Sequence, residues 1–108
     1  MVDLPSVPAA DVPARAVVLD VREDDEWAAG HIDGALHIPM GQVPQRVGEL
    51  PADAELHVVC RAGGRSARVV AWLQENGFEA VNVTGGMGAW ADAGRPLVAD
   101  DDRVPGVL

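Results

Sequence analysis

An α/β domain with a mainly parallel sheet is the fold this sequence predicts. Short apolar runs suited to strands alternate with helical patterns along the whole chain. The run at 16–21 (AVVLDV) is continuous rather than alternating, as strands covered on both faces are. Glycine or proline closes most of the elements.

In chain order, residues 1–14 hold Pro5, Pro8 and Pro13 and read as an irregular arm, with room for an edge strand near Val7. Residues 16–21 form the first buried strand. Residues 23–29 read as a short helix with acids at its start and Gly30 as its stop. A short strand at 35–38 ends at Pro39, and one or two helical turns at 42–50 end at Pro51. The strand at 55–59 leads into the only cysteine, Cys60. Ser66 is the expected N-cap of a helix that runs to Asn76, with Gly77 beyond it and Val69, Val70, Trp72 and Leu73 on its buried side. A strand follows at 80–83. Gly85-Gly86 opens a last helix that runs through Trp90 to Ala93, closed by Gly94 and Pro96. Trp27, Trp72 and Trp90 are each expected on a core-facing helical position. The chain is read as one domain over 1–108, with its core at about 10–97. Residues 98–108, with Asp100-Asp101-Asp102, form a loosely held acidic tail.

Composition narrows the setting. Of 108 residues, 48% are apolar and 23% charged, enough for an ordinary core. One cysteine allows no internal disulfide, the first ten residues do not read as a signal peptide, and no apolar run approaches a membrane span. A reducing, cytoplasmic setting is expected. The net charge of −9 disfavours nucleic acid and anionic membranes as partners. No exposed apolar stripe demands a second copy, so a monomer is expected. His31, His37 and His57 do not fall at metal-ligand spacing, so no metal and no cofactor are expected.

The chemistry gathers at Cys60. It stands at the carboxyl end of a strand, where open α/β sheets place reactive groups, and is followed by Arg61-Ala62-Gly63-Gly64-Arg65-Ser66. Adjacent glycines bring backbone N–H groups close to an anion, and a helix start favours negative charge. A thiolate here is expected to be stabilised below the free pKa of about 8.5. Arg61, Arg65 and Arg68 form a positive patch in an acidic protein, which points to a small anionic substrate, although Arg68 taken alone reads as part of the solvated helix face.

Four motifs in order extend this reading: Leu19-Asp20-Val21-Arg22-Glu23; Glu26-Trp27-Ala28-Ala29-Gly30-His31-Ile32 with Gly34-Ala35 and Ile38-Pro39; Val58-Val59-Cys60 with the loop to Ser66; and Val83-Thr84-Gly85-Gly86-Met87 before Trp90. Together they resemble a single-domain rhodanese, a sulfurtransferase-type domain, over about residues 10–97. The resemblance implies a three-layer domain whose parallel sheet has about five strands, with helices on both faces. It implies that Cys60 is the catalytic, sulfur-accepting nucleophile. Arg61, Ala62, Gly63, Gly64 and Arg65 match the cradle that binds the sulfur, and Ser66 the start of the helix behind it. Asp20 and Arg22 are read as structural polar groups at a strand end, and His31 as a hydrogen-bonded turn residue.

The expected reaction moves sulfane sulfur from an anionic donor such as thiosulfate to a thiol, a protein acceptor or cyanide, through a Cys60 persulfide. The first alternative is a persulfide carrier or regulatory binding module with little turnover. The second is a cysteine-dependent phosphatase or arsenate reductase. It is disfavoured because only four residues separate Cys60 from Arg65, where that motif has five, and because no resolving cysteine is present.

Overall fold

The computed structural model describes residues 4–108, so the first three residues of the expected arm lie outside the described residues. Five strands, β1 (Ser6–Pro8), β2 (Val17–Asp20), β3 (Leu36–His37), β4 (Leu56–Val59) and β5 (Ala80–Thr84), form one sheet in the order β1-β5-β4-β2-β3. Every pairing is parallel. β2, β3 and β4 fall inside the apolar runs that predicted them, and β5 extends one residue further. The edge strand near Val7 is β1, where Pro8 costs little pairing.

The helices are α1 (Asp24–Ala29), α2 (Val43–Arg46), α3 (Gly64–Glu75) and α4 (Gly86–Asp92), with 3-10 turns on either side of α2. Alternation along the strands divides the core into two layers. Leu19, Leu56 and Val58 face α2 and α3, packing against Val43, Val69, Val70 and Leu73. Val18, Val59 and Val83 face the other way, onto Ala9, Val12, and Met87 and Trp90 of α4. Each such aliphatic side chain contributes about 1.5–3 kcal/mol on burial. This is the expected three-layer arrangement, with helices on both faces of five parallel strands.

The order of the strands positions the site. From β2 the chain moves outward to the edge strand β3, then returns to β4 on the other side of β2. The segments leaving β2 and β4 therefore diverge, and a crevice opens between them at the strands' carboxyl ends. Cys60 follows β4 directly.

A buried ion pair secures one wall of that crevice. Arg22 is completely buried, and its guanidinium grips both oxygens of Asp20 at 2.7–3.1 Å. Its remaining donors reach the carbonyls of Gly30 (2.8 Å) and Glu26 (3.2 Å), so the end of β2 holds α1 in place. His31 is a hydrogen-bonded turn residue: its Nδ1–H donates to the Trp27 carbonyl at 2.8 Å.

Three expectations are corrected. Ser66 is not the N-cap of α3, because the helix already starts at Gly64 after Gly63 in a left-handed conformation (φ 117°). Ser66 thus lies inside the first turn, and its hydroxyl is free for another partner. Of the three tryptophans only Trp90 is fully buried. Trp72 is partly buried and packs on the core as expected, beside a shallow apolar cavity of about 170 Å³, whereas Trp27 stacks on His31 and His37, with ring centroids 3.6 and 4.6 Å away. Gly30 ends α1 as expected, in extended backbone (φ 169°). Glycine is needed there because a Cβ would strike the Gly106 carbonyl. That contact shows the last correction: the acidic tail is not loose throughout. Val98 bridges His31 through two backbone bonds, Gly106 N–H donates to the Ala29 carbonyl (2.9 Å), and Val107 packs on the core. Within the tail, the stretch from Asp100 to Val104 and the terminal Leu108 stand exposed.

Candidate functional site

Cys60 is 2% exposed, at the floor of the crevice. The Gly63 N–H donates to its sulfur at 3.1 Å, and the Ser66 hydroxyl lies 3.3 Å away. Burial pushes the thiol pKa up. The Ser66 hydroxyl and the N–H groups of Ser66, Gly63 and Ala62 outweigh burial, and the balance falls below the ordinary value. The sulfur is therefore surrounded by donors, which favour a thiolate or any anion bonded to it.

The structure divides the six loop residues by task. Ala62, Gly63 and Ser66 direct donors at the sulfur. Gly64 begins α3 and allows its tight entry. Arg61 is exposed, and its Nε–H reaches the Leu108 carbonyl at 2.8 Å. Arg65 is not the free cation that the loop sequence suggests. Both of its terminal nitrogens bind the Glu26 carboxylate, at 2.7 and 2.9 Å. Its role is to tie the loop after β4 to α1 across the crevice. Arg68 has an exposed side chain on α3, away from the sulfur cradle, where it rims the apolar cavity beside Trp72.

Sequence reasoning assigned no role at the cysteine site to three residues that complete it. Glu26 is the first. Besides pairing with Arg65, it accepts the Glu23 N–H at 3.0 Å and so closes the first turn of α1. Arg65 first, then the Glu23 N–H, holds its carboxyl at about 2 against the opposing effect of burial. A depressed acid stabilises the fold fully above its ordinary pKa of 4.5, and that stabilisation is lost as pH falls towards about 2. Glu26→Gln is accordingly expected to cost roughly 1–2 kcal/mol in urea unfolding at neutral pH. The difference from wild type should shrink to nothing as pH falls through that window; a cost independent of pH would contradict the pairing.

Gly86 is the second. Its φ is +58°, and a Cβ there would collide with the Cys60 carbonyl. The contact lets α4 approach the loop from behind: Met87 and Gly88 N–H groups donate to the carbonyls of Cys60 and Arg61 at 2.8 and 3.0 Å. The loop's carbonyls are thereby turned away from the sulfur while its N–H groups face it. The resemblance quoted Gly86 without a task. Asn82, on β5, is the third. The Ser66 hydroxyl lies 2.6 Å from its Oδ1, and its Nδ2 donates to the Gly63 carbonyl at 3.3 Å. A polar residue inside the apolar run AVNVT was the available signal.

A family model described as Rhodanese-like domain matches residues 9–93, and the chain belongs to that family. Among curated relatives, it is 47% identical over 79 residues to "Putative sulfurtransferase YtwF" of Bacillus subtilis, covering 73% of this chain and 77% of that one. It is 40% identical over 86 residues to "Sulfurtransferase" of Allochromatium vinosum, covering 79% and 80%. A third similar protein, again 40% identical, is named "Putative sulfur carrier protein YrkF" of Bacillus subtilis; the match covers 68% of this chain and 40% of that one. Among solved structures, a rhodanese-like domain protein from Staphylococcus aureus superposes with a TM-score of 0.83 at 36% identity, covering 91% of this chain and all of that one. At the level of the family, these names support sulfur transfer. No helix among the described residues is long and apolar enough to cross a membrane.

Proposed function

We propose that the protein is a sulfurtransferase in which Cys60 carries sulfane sulfur as a persulfide. The observation that carries this reading is the ring of donors around one buried sulfur, which among the described residues is hydrogen-bonded to no histidine or carboxylate. Such a site suits a nucleophile that is already ionised and a product that remains an anion. The Cys60 thiolate attacks the outer sulfur of thiosulfate. A new S–S bond forms to Cys60, the bond to the sulfite sulfur breaks, and sulfite leaves with the electron pair. The negative charge of the thiolate now rests on the terminal sulfur of Cys60–S–S⁻. An acceptor thiolate or cyanide attacks that sulfur, the S–S bond to Cys60 breaks, and the Cys60 thiolate returns.

Arg61 is the residue proposed to draw in the doubly anionic donor, since Arg65 is neutralised by Glu26. Arg61→Gly is expected to raise the thiosulfate KM about three- to tenfold, with a smaller change in kcat. An unchanged KM would remove Arg61 from donor binding. Ser66 supports the transferase reading over a phosphatase. It stands where that motif places arginine, and it is turned inward to the sulfur and Asn82, so the cradle fits one sulfur rather than an oxyanion. The further proposals are a small anionic donor, a thiol or protein acceptor, and no metal or other cofactor. The setting proposed is a monomer in the cytoplasm, without nucleic acid or membrane as partners.

A second reading, a sulfur carrier with low turnover of its own, is favoured by the relative named a sulfur carrier. Rates with free thiosulfate and with a protein persulfide donor separate the two. A kcat of about 1 per second or more with thiosulfate, within the ordinary range of enzymes, supports the transferase. Loading that is fast only from the protein donor supports the carrier.

A further inference from the structure

The Ser66 hydroxyl has one proton and two neighbours that can accept it: the Cys60 sulfur at 3.3 Å and Asn82 Oδ1 at 2.6 Å. The orientation of the amide is set by a third group. The Gly63 carbonyl can only accept, so the Asn82 NH₂ must face it, at 3.3 Å. That leaves Oδ1, also only an acceptor, pointing at Ser66. When the hydroxyl donates to Asn82, it turns its lone pairs to Cys60, an arrangement that suits a thiol S–H and opposes a thiolate. When the sulfur is ionised, the hydroxyl does best by turning to it and leaving Asn82. The two acceptors compete for one proton.

From this competition we infer that Asn82 is a positioning residue that acts through the Ser66 hydroxyl to hold back ionisation of Cys60. The inference rests on the reading of Cys60 as the reacting sulfur. It adds a reason for a polar side chain in the middle of β5. In the persulfide the charge moves to the outer sulfur, and the hydroxyl can return to Asn82. Asn82 thus resists the charged resting state more than the sulfur-loaded state, which eases the first transfer by keeping the thiolate nucleophilic.

The charged groups on the elements around the sulfur are Arg61 of the loop, bonded to the Leu108 carbonyl, Arg65 of α3, bound to Glu26 of α1 with Glu23 nearby, and the buried Asp20–Arg22 pair at the end of β2, beside β4. β5 and α4 present the neutral residues Asn82, Gly86, Met87 and Gly88 on this side. None of the charges is altered by changing Asn82 or Ser66.

The test is the pH dependence of Cys60 alkylation by iodoacetamide, followed by intact mass, in wild type, Asn82→Ala, Ser66→Ala and the double variant. Ser66→Ala is expected to raise the midpoint by about one pH unit, the effect of one hydrogen bond to a charged group. Asn82→Ala is expected to lower it by roughly half a unit to one unit, because the hydroxyl is released to the thiolate. In the double variant the effect of Asn82→Ala should vanish, leaving the midpoint of Ser66→Ala. Asn82→Val, which keeps the strand preference of β5, is expected to match Asn82→Ala and serves if the alanine variant does not fold. A midpoint that rises or stays fixed when Asn82 is replaced overturns the inference. So does a shift of equal size with and without Ser66, the mark of a merely structural support for the loop. Alkylation needs no sulfur donor, so failure of the sulfurtransferase reading would show separately, as a failure to load sulfur.

Discussion

Cys60→Ser is expected to lower sulfur transfer at least about a thousandfold while leaving the fold intact. The two parts of this prediction have different causes. A serine hydroxyl is not ionised at neutral pH and is a poor nucleophile towards divalent sulfur, so no persulfide analogue forms and no second pathway exists. The site itself barely changes. Serine is slightly smaller than cysteine, and the Gly63 N–H, Ser66 hydroxyl and loop backbone can all donate to its oxygen. Stability by urea unfolding should therefore stay within about 1 kcal/mol of wild type. Residual transfer above about one hundredth of the wild-type rate would mean that another group accepts the sulfur, and no other cysteine is available to do so.

The largest effect on stability is expected not at the reacting cysteine but at Arg22, in the wall of the crevice. Arg22→Met removes the whole partner of a buried carboxylate. Asp20 would keep only the Arg22 backbone N–H, at 3.0 Å, and the carbonyls of Gly30 and Glu26 would each lose a donor. Breaking a buried pair on one side costs about 3–5 kcal/mol, against about 5–15 kcal/mol for the whole stability of a domain. Replacing both partners by apolar residues leaves no stranded charge, so Asp20→Leu/Arg22→Met should be clearly more stable than Arg22→Met alone. Urea unfolding followed by fluorescence of the tryptophans checks both statements. A loss below about 1 kcal/mol for Arg22→Met would show that water reaches Asp20 and screens it.

Most of the architecture was legible because it is written in local pattern. β2 and β4 are largely apolar, broken only by Asp20 and His57, since helices cover both faces of the sheet, and Pro39, Pro51 and Gly77 mark where elements stop. The Cys60 loop was legible for the same reason: the cysteine, the two glycines and Ser66 lie within seven consecutive residues. Pairs that join distant parts of the chain were not legible. Glu26 and Arg65 are 39 positions apart, and they meet only because α1 and the loop flank the same crevice. Asn82 and Ser66 are 16 apart and meet because β5 lies beside β4. The error at Ser66 is instructive. Serine is favoured at N-caps, and preference alone places it there. Gly63 takes the bend instead, which moves Ser66 into the first turn and aims its hydroxyl at the sulfur. Arg65 shows the converse. Its charge suggested substrate binding, but a carboxylate from another element had already claimed it.

The most direct measurement is an intact mass of the purified protein after incubation with thiosulfate, with Cys60→Ser as the control. The expected result is a gain of about 32 Da, one sulfur on the thiol, that disappears on adding cyanide and is absent in the serine variant. No gain from thiosulfate or from any persulfide donor, or an equal gain in Cys60→Ser, would contradict a sulfur-accepting role for Cys60.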